Sequence, residues 1–309
     1  MADNHDGLRF PPPKYDHTET PPLYTFWDMI DDGYAAERNK PSRMIPGDYY
    51  RPSSASLSYK DGPYTIVEGK CLRQAFWERK GEASSNSSKI GLNWQAEMGH
   101  KVSDLVVEWA KRSGIYVDSE ISFVDETNKV SGRVDLLYYH PVLQKVIGCE
   151  IKSVGDYGGR QGVIQGYPLK PRFKHLLQVA LYMDYFSSRF NIDRFDLVYF
   201  ARCTGERSVF VCTFDPAREL LVDGAPTGVT TQKIHDRYKL LDAYLAADQL
   251  PPRDYELQYD KPRLQYMANN DQLTAKQKET VLAGKKLVKG DGPCSFCNFK
   301  TRCWEQTDE

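Results

Sequence analysis

The run Lys145-Val146-Ile147-Gly148-Cys149-Glu150-Ile151-Lys152 sets the terms for everything around it. Its apolar content reads as a strand within a sheet, yet it carries a carboxylate and an ammonium two residues apart. Alternate residues of a strand share a face, so Glu150 and Lys152 point one way while Cys149 and Ile151 point the other. On the preceding strand-like run, Gly132-Arg133-Val134-Asp135-Leu136-Leu137, Asp135 is likewise opposed to Val134 and Leu136. Carboxylates on neighbouring apolar strands are costly unless something pairs them. A divalent cation would do so, since hard cations favour carboxylate and carbonyl oxygen. The competing reading is a Glu150–Lys152 ion pair on the surface of an edge strand.

The periodicities around these runs follow the order helix, three strands, helix, two strands. Leu92–Ser113 reads as a long helix, with Met98, Val102, Leu105, Val106 and Trp109 at three- and four-residue steps and Gly114 as its stop. Ser119–Val124, Lys129–Tyr139 and Lys145–Lys152 are strands, and Gly155–Gly166 is a loop. Arg172–Arg189 is a helix with Leu176, Leu177, Ala180, Leu181 and Tyr185 on its apolar side. Phe195–Arg202 and Ser208–Phe214 form a hairpin about Thr204-Gly205-Glu206, and a helix spans Thr230–Asp248. This order predicts a mixed α/β core over residues 92–215.

The flanks are of a different kind. Residues 1–54 form a Pro- and aromatic-rich arm, with one short helix around Phe26–Arg38. Packing against the body is the expected fate of its aromatics. From Ser53 the chain becomes organised: Ser53–Ser58 supplies helix-capping groups, and within residues 55–91 Cys71–Arg79 is a helix. Residues 216–309 read as helical, with a Pro-rich connector, a basic helix (Thr274–Val288) and a cysteine cluster.

No stretch approaches the roughly 18 apolar residues of a membrane span, and the polar start lacks a signal peptide, so a cytoplasmic protein is expected. The net charge of −1 is no signature of nucleic-acid binding, but a channel can concentrate positive charge locally. Cysteines in that compartment are not read as disulfides. Cys294, Cys297 and Cys303 form a C-x2-C-x5-C group, three thiolates where zinc or an iron–sulfur cluster normally takes four protein ligands. Cys149, Cys203 and Cys212 fall in strands and read as small buried hydrophobes. That leaves Cys71, at a helix start, as the candidate fourth.

Further polar residues flank the acidic strands. Gln178 and Tyr182 stand at i and i+4 on one helix face, and His100 follows Gly99 on the helix before. Gly-His, Gly-x-x-Asp (Gly132–Asp135), Glu-x-Lys (Glu150–Lys152) and Gln-x-x-x-Tyr (Gln178–Tyr182), in this order, resemble the RecB-like branch of the PD-(D/E)xK nucleases. The match covers roughly residues 55–215, with Val134 in place of the proline of the motif's name. With Cys71 upstream and three cysteines at the far end, the chain is similar to the iron–sulfur members of that branch. These include the CRISPR adaptation nucleases (the Cas four group) and the nuclease domain of AddB.

The resemblance implies a restriction-endonuclease-like core, a mixed central sheet flanked by helices, with a helical iron–sulfur cap formed by both chain ends. It implies that Asp135, Glu150, the Ile151 carbonyl and His100 bind Mn²⁺ or Mg²⁺, that Lys152 acts on the attacking water or the phosphate, and that Gln178 and Tyr182 position the strand. Cys71, Cys294, Cys297 and Cys303 would hold a 4Fe–4S cluster, with Zn²⁺ the alternative. The expected activity is a DNA exonuclease on single strands or ends. A structure-specific endonuclease with a zinc-stabilised cap, or a non-catalytic DNA-binding subunit, are alternatives. Arg160, Tyr167, Lys170, Arg172 and Lys174 are candidate DNA contacts. Protein partners in recombination, repair or CRISPR adaptation would fit the same resemblance.

Overall fold

The computed structural model describes residues 49–86, 90–155 and 159–305. The helix expected around Phe26–Arg38 lies outside them. Seven strands form one sheet in the order β3-β4-β5-β6-β7-β8-β9. They are β3 (Tyr116–Asp125), β4 (Val130–His140), β5 (Lys145–Val154), β6 (Arg194–Ala201), β7 (Arg207–Phe214), β8 (Glu219–Val222) and β9 (Ala225–Thr230). All neighbours are antiparallel except β5 and β6, which are parallel. A parallel pair needs a long crossover, and the helix α3 (Phe173–Phe190) supplies it.

Two helices cover the β5 region, one on each face. The helix α2 (Ile90–Arg112) packs Val102 and Ala110 against Leu136, Cys149, Ile151 and Phe200. On the other face Leu176, Leu177, Val179, Ala180 and Met183 of α3 join Phe195, Leu197 and Tyr199 of β6 in the main core. Glu150 pairs in register with Leu197, and Lys152 with Tyr199, so both polar residues of β5 sit on the α3 side. β5 is therefore an interior strand, and the edge-strand surface pair is not what this chain makes.

Two hairpins depart from the expected helical flanks. Ser53–Ser58 does not cap a helix: after a short 3-10 turn (Pro52–Ser54), β1 (Ser56–Asp61) and β2 (Tyr64–Gly69) pair as a separate two-stranded sheet. The cause is Gly62, whose φ of +56° opens the two-residue Gly62-Pro63 turn. Likewise β8 and β9 carry the main sheet past residue 215 through a tight Asp223-Gly224 turn, both residues having positive φ.

The helix α1 (Leu72–Arg79) begins directly after Cys71, and α4 (Thr231–Ala246) is capped by the Thr230 side chain on Lys233 N–H. Beyond them lie α5 (Lys261–Asn269), absent from the sequence reading, and α6 (Ala275–Leu282). The latter is shorter than the expected Thr274–Val288. A Thr274–Gln277 capping box starts it, and Gly284, at φ +70°, follows its end. Short α7 (Gly292–Ser295) and α8 (Lys300–Glu305) bring the last three cysteines against α1, where Trp77 meets Phe299 at 5.2 Å between ring centroids. No helix among the described residues is long and apolar enough to cross a membrane.

Candidate functional site

Where β4 and β5 approach their shared end, a cleft of about 790 Å³ opens between α2, α3, β3 and the 3-10 turn. Its lining includes Asp135, Glu150, Ile151, Lys152, Gln178, Tyr182 and His100. Asp135 Oδ2 accepts the Ile151 N–H at 2.7 Å, which ties the first acidic strand to the second. Glu150 Oε1 lies 2.5 Å from Lys152 Nζ. Lys152 Nζ also donates to Gln178 Oε1 at 2.8 Å, Gln178 Nε2 to Tyr182 Oη at 2.8 Å, and Tyr182 Oη to the Arg133 carbonyl at 2.9 Å. The i, i+4 spacing on α3 thus links β5 to β4 through one polar chain.

The electrostatics of the pair are those of buried acids. Glu150 is only 2 % exposed, and its Oε2 has no hydrogen-bond partner. Burial pushes its carboxyl up to about 8; Lys152 opposes the rise and Asp135 adds to it. Burial also raises Asp135, against the Ile151 N–H and Lys152. Without added positive charge, these groups resist ionisation together. The donor set therefore suits a cation: two carboxylates, one of them with an orphaned oxygen, and, on β5, the Ile151 carbonyl.

Glycine has a structural task in both motifs. A Cβ on Gly132 would lie 2.8 Å from the Phe123 ring and 2.9 Å from Pro52, so the 3-10 turn closes over β4 only with glycine there. Gly99 lets α2 approach Ser153, whose Oγ would stand 3.2 Å from an added Cβ. His100, on the next position of α2, is exposed and lines the cleft. Among the described residues no three His, Cys, Asp or Glu side chains gather closely enough to hold an ion, so His100 does not stand in a ligand group with both acids. Arg51 also lines the cleft, exposed and with no ion pair among the described residues. Sequence reasoning missed it because a lone Arg before a proline carries no periodicity.

The cysteines separate as follows. Cys71, Cys294, Cys297 and Cys303 line one small cavity of about 30 Å³ together with Arg73, Arg253, Lys300, Trp77 and Trp304. Arg73 Nη1 lies 4.0 Å from Cys303 Sγ, and Phe299 N–H donates to Cys297 Sγ at 3.4 Å. Burial pushes the Cys71 thiol up to about 11 and Cys294 to about 12. Four thiols thus share one cavity with cationic side chains, but as placed no three of them gather closely enough to hold an ion. Cys149 and Cys212 are buried in strands. Cys203 is not: it is exposed in the turn after β6, where Gly205 reverses the chain at φ +73°.

The candidate strand contacts divide too. Arg160 is bound to Glu206 at 2.5 Å, and Tyr167 and Lys170 are exposed on the loop before α3. Arg172 and Lys174 line a second cleft.

No protein-family model matches this chain, and no curated protein does. Among solved structures the chain is similar to one described as the crystal structure of SSO0001, at 15% identity and a TM-score of 0.41. The match covers 82% of this chain and 98% of that one. A likeness of this size assigns neither fold family nor function, and what stands on the coordinates is a mixed α/β protein with a large mixed sheet flanked by helices.

Proposed function

We propose that this chain is a metal-dependent deoxyribonuclease of the PD-(D/E)xK type, acting on single strands or DNA ends. One observation carries the reading. Glu150 is fully enclosed beside Asp135, yet one of its oxygens has no partner, at the wall of an open cleft of about 790 Å³. An unpartnered buried polar atom costs roughly 2–7 kcal/mol against a partnered one, a cost a bound cation removes. Asp135, Glu150 and the Ile151 carbonyl would hold Mn²⁺ or Mg²⁺, and His100 would join if its side chain swings inward. Such an ion supplies charge at the phosphate and acidifies water near neutral pH.

The chain's own residues do the rest. Lys152, fixed between Glu150 and Gln178, places a cation where charge develops on the phosphate. Tyr182 and Gln178 keep that ammonium in place from the core side. Arg51, also in the lining of this cleft, offers a second positive charge that can meet a phosphate oxygen. Cys71, Cys294, Cys297 and Cys303 would hold a 4Fe–4S cluster that joins the two flanks of the core as a cap; zinc is the alternative, and structural zinc sites more often use two local cysteine pairs.

The test is direct. Anaerobically purified protein is incubated with Mn²⁺ and end-labelled single-stranded DNA, duplex DNA and RNA, and the products are resolved by length. Cleavage of DNA by wild type and none by Glu150→Gln is the expected result. Equal turnover by the two proteins overturns the reading.

A further inference from the structure

A second cleft, about 750 Å³, lies beyond the first turns of α3. Its walls are the β1–β2 hairpin, the start of α3, and α5. Strand alternation brings Tyr59 and Asp61 of β1 onto the same face as Tyr64, Ile66 and Glu68 of β2, and this face lines the cleft. Tyr255, Tyr259 and Tyr266 line the rest, so five tyrosines surround one space.

Most charge in this cleft is already committed to building it. Asp61 accepts from Tyr266 Oη at 2.9 Å and from Gln272 Nε2 at 2.6 Å. Asp291 accepts from Tyr259 Oη at 2.5 Å and from Glu256 N–H at 2.7 Å. Arg263 pairs with Glu256 and lies over the Tyr64 and Tyr259 rings, 5.3 and 4.3 Å from their centroids. These bonds hold the tyrosine rings in place before any ligand arrives.

What stays uncommitted is unequal. Arg172 donates its guanidinium to the Gly159 carbonyl at 3.0 Å, with no carboxylate partner among the described residues, and Lys174 has no ion-pair partner there. Lys174 is exposed as a residue, but its ammonium is partly desolvated in the cleft, and this, with Arg172 and Lys152, lowers it. Arg172 and Lys174, neither with a carboxylate partner among the described residues, leave a place for an anion in this cleft. Against them stands Glu68, whose carboxyl is raised by burial and by Asp291.

We infer that this tyrosine-lined cleft binds the bases of a single nucleic-acid strand, with Arg172 and Lys174 taking its backbone phosphates on the way to the Asp135–Glu150 cleft. Aromatic faces stack any base and cations track the backbone, which is the chemistry of single-strand binding without sequence preference. The helix connects the two places: Lys174 lines the second cleft, and Gln178, one turn on, lines the first. The choice of nucleic acid over a peptide rests on the nuclease reading of the first cleft. A peptide without acidic side chains would also leave Arg172 and Lys174 unpaired.

The experiment separates the two ideas. Affinity is measured by fluorescence anisotropy, in EDTA so that nothing is cleaved, for labelled thymidine oligomers of about four and about fifteen nucleotides. Wild type is compared with Tyr59→Ala, Lys174→Gln and their double variant, and a Lys174→Arg variant tests rescue. Tyr59 is 42 % exposed and Lys174 is exposed, so the fold survives these changes, which a thermal melt verifies. The double variant is expected to lose about tenfold or more in affinity for the long oligomer and much less for the short one. Lys174→Arg should restore most of the loss from Lys174→Gln. Unchanged affinity for the long oligomer, or no binding by wild type, overturns the inference. The nuclease reading is judged separately by wild-type cleavage with Mn²⁺: cleavage with unchanged variant affinity removes only the second cleft, and Tyr59-dependent binding without cleavage removes only the nuclease.

Discussion

Asp135 and Ile151 are joined by a 2.7 Å hydrogen bond from the Ile151 N–H to the Asp135 carboxylate, a side chain completing what a strand backbone would otherwise do. Asparagine can accept that bond and alanine cannot. Asp135→Asn should therefore abolish DNA cleavage while the metal-free protein melts within a few degrees of wild type. Asp135→Ala should also be inactive, but it leaves a buried N–H unpaired at a cost of about 1–3 kcal/mol. Its melting temperature should fall by roughly 2–4 °C per kcal/mol. Equal melting of the two variants would show that the bond contributes nothing to the fold.

The raised carboxyl of Glu150 gives a pH signature. Its folded value of about 8 lies above the ordinary 4.5, so between these values the folded protein keeps a proton that the unfolded chain has released. Stability then falls as pH rises through that window, and the loss is complete above about 8. In EDTA, wild type should lose melting temperature from pH 5 to pH 8 relative to Glu150→Gln, and Mn²⁺ should reverse the difference. Parallel profiles for the two proteins would remove buried Glu150 as the cause.

Lys152→Ala should reduce the cleavage rate by roughly a hundredfold or more, as expected for a charge positioned at the transition state. Binding of Mn²⁺, measured by calorimetry on the folded variant, should remain. Gln178→Ala frees the Lys152 ammonium without removing it and should cost less. A Gln178→Ala rate equal to wild type would mean that Glu150 alone orients the lysine.

Arg51 and His100 are both exposed on the walls of the first cleft, so neither is needed to fold the protein. Arg51→Ala should lower kcat/KM by about tenfold or more with unchanged melting. His100→Ala should weaken Mn²⁺ affinity and diminish any preference for Mn²⁺ over Mg²⁺, since imidazole suits the transition ion better. A His100→Ala protein that unfolds instead, with metal affinity per folded molecule intact, would make His100 a packing residue.

Anaerobic protein should be brown and contain iron and sulfide. Cys71→Ala should lose the colour and much of its stability, because its thiol lines the cavity that the last three cysteines share. Cys203→Ala, in an exposed turn, should change neither. Colourless, folded wild type with stoichiometric zinc would replace the cluster by a zinc ion.

Much of the first cleft could be read in advance because it depends on short-range periodicity. Strand alternation alone places Glu150 and Lys152 together, and helical spacing alone places Gln178 beneath Tyr182. The hairpins were hidden for a local reason: Ser56–Asp61 is polar and followed by Gly-Pro, so its capping residues read as a helix start, although Gly62 marks a turn. Asp223-Gly224 carried a hairpin signal that an otherwise helical flank obscured. Arg51 and the tyrosine cleft could not be read at all, because each joins residues far apart in the chain that only tertiary packing brings together.

The Arg133 carbonyl, Tyr182, Gln178 and Lys152 form a relay anchored at its far end in the core. A lysine free in water samples many rotamers, and ordering one costs about 1.5–2 kcal/mol. Here that disorder is surrendered when the protein folds and not when a ligand arrives. Cooling should consequently affect substrate capture less than in a protein whose lysine is still searching, since little side-chain freedom is left to lose.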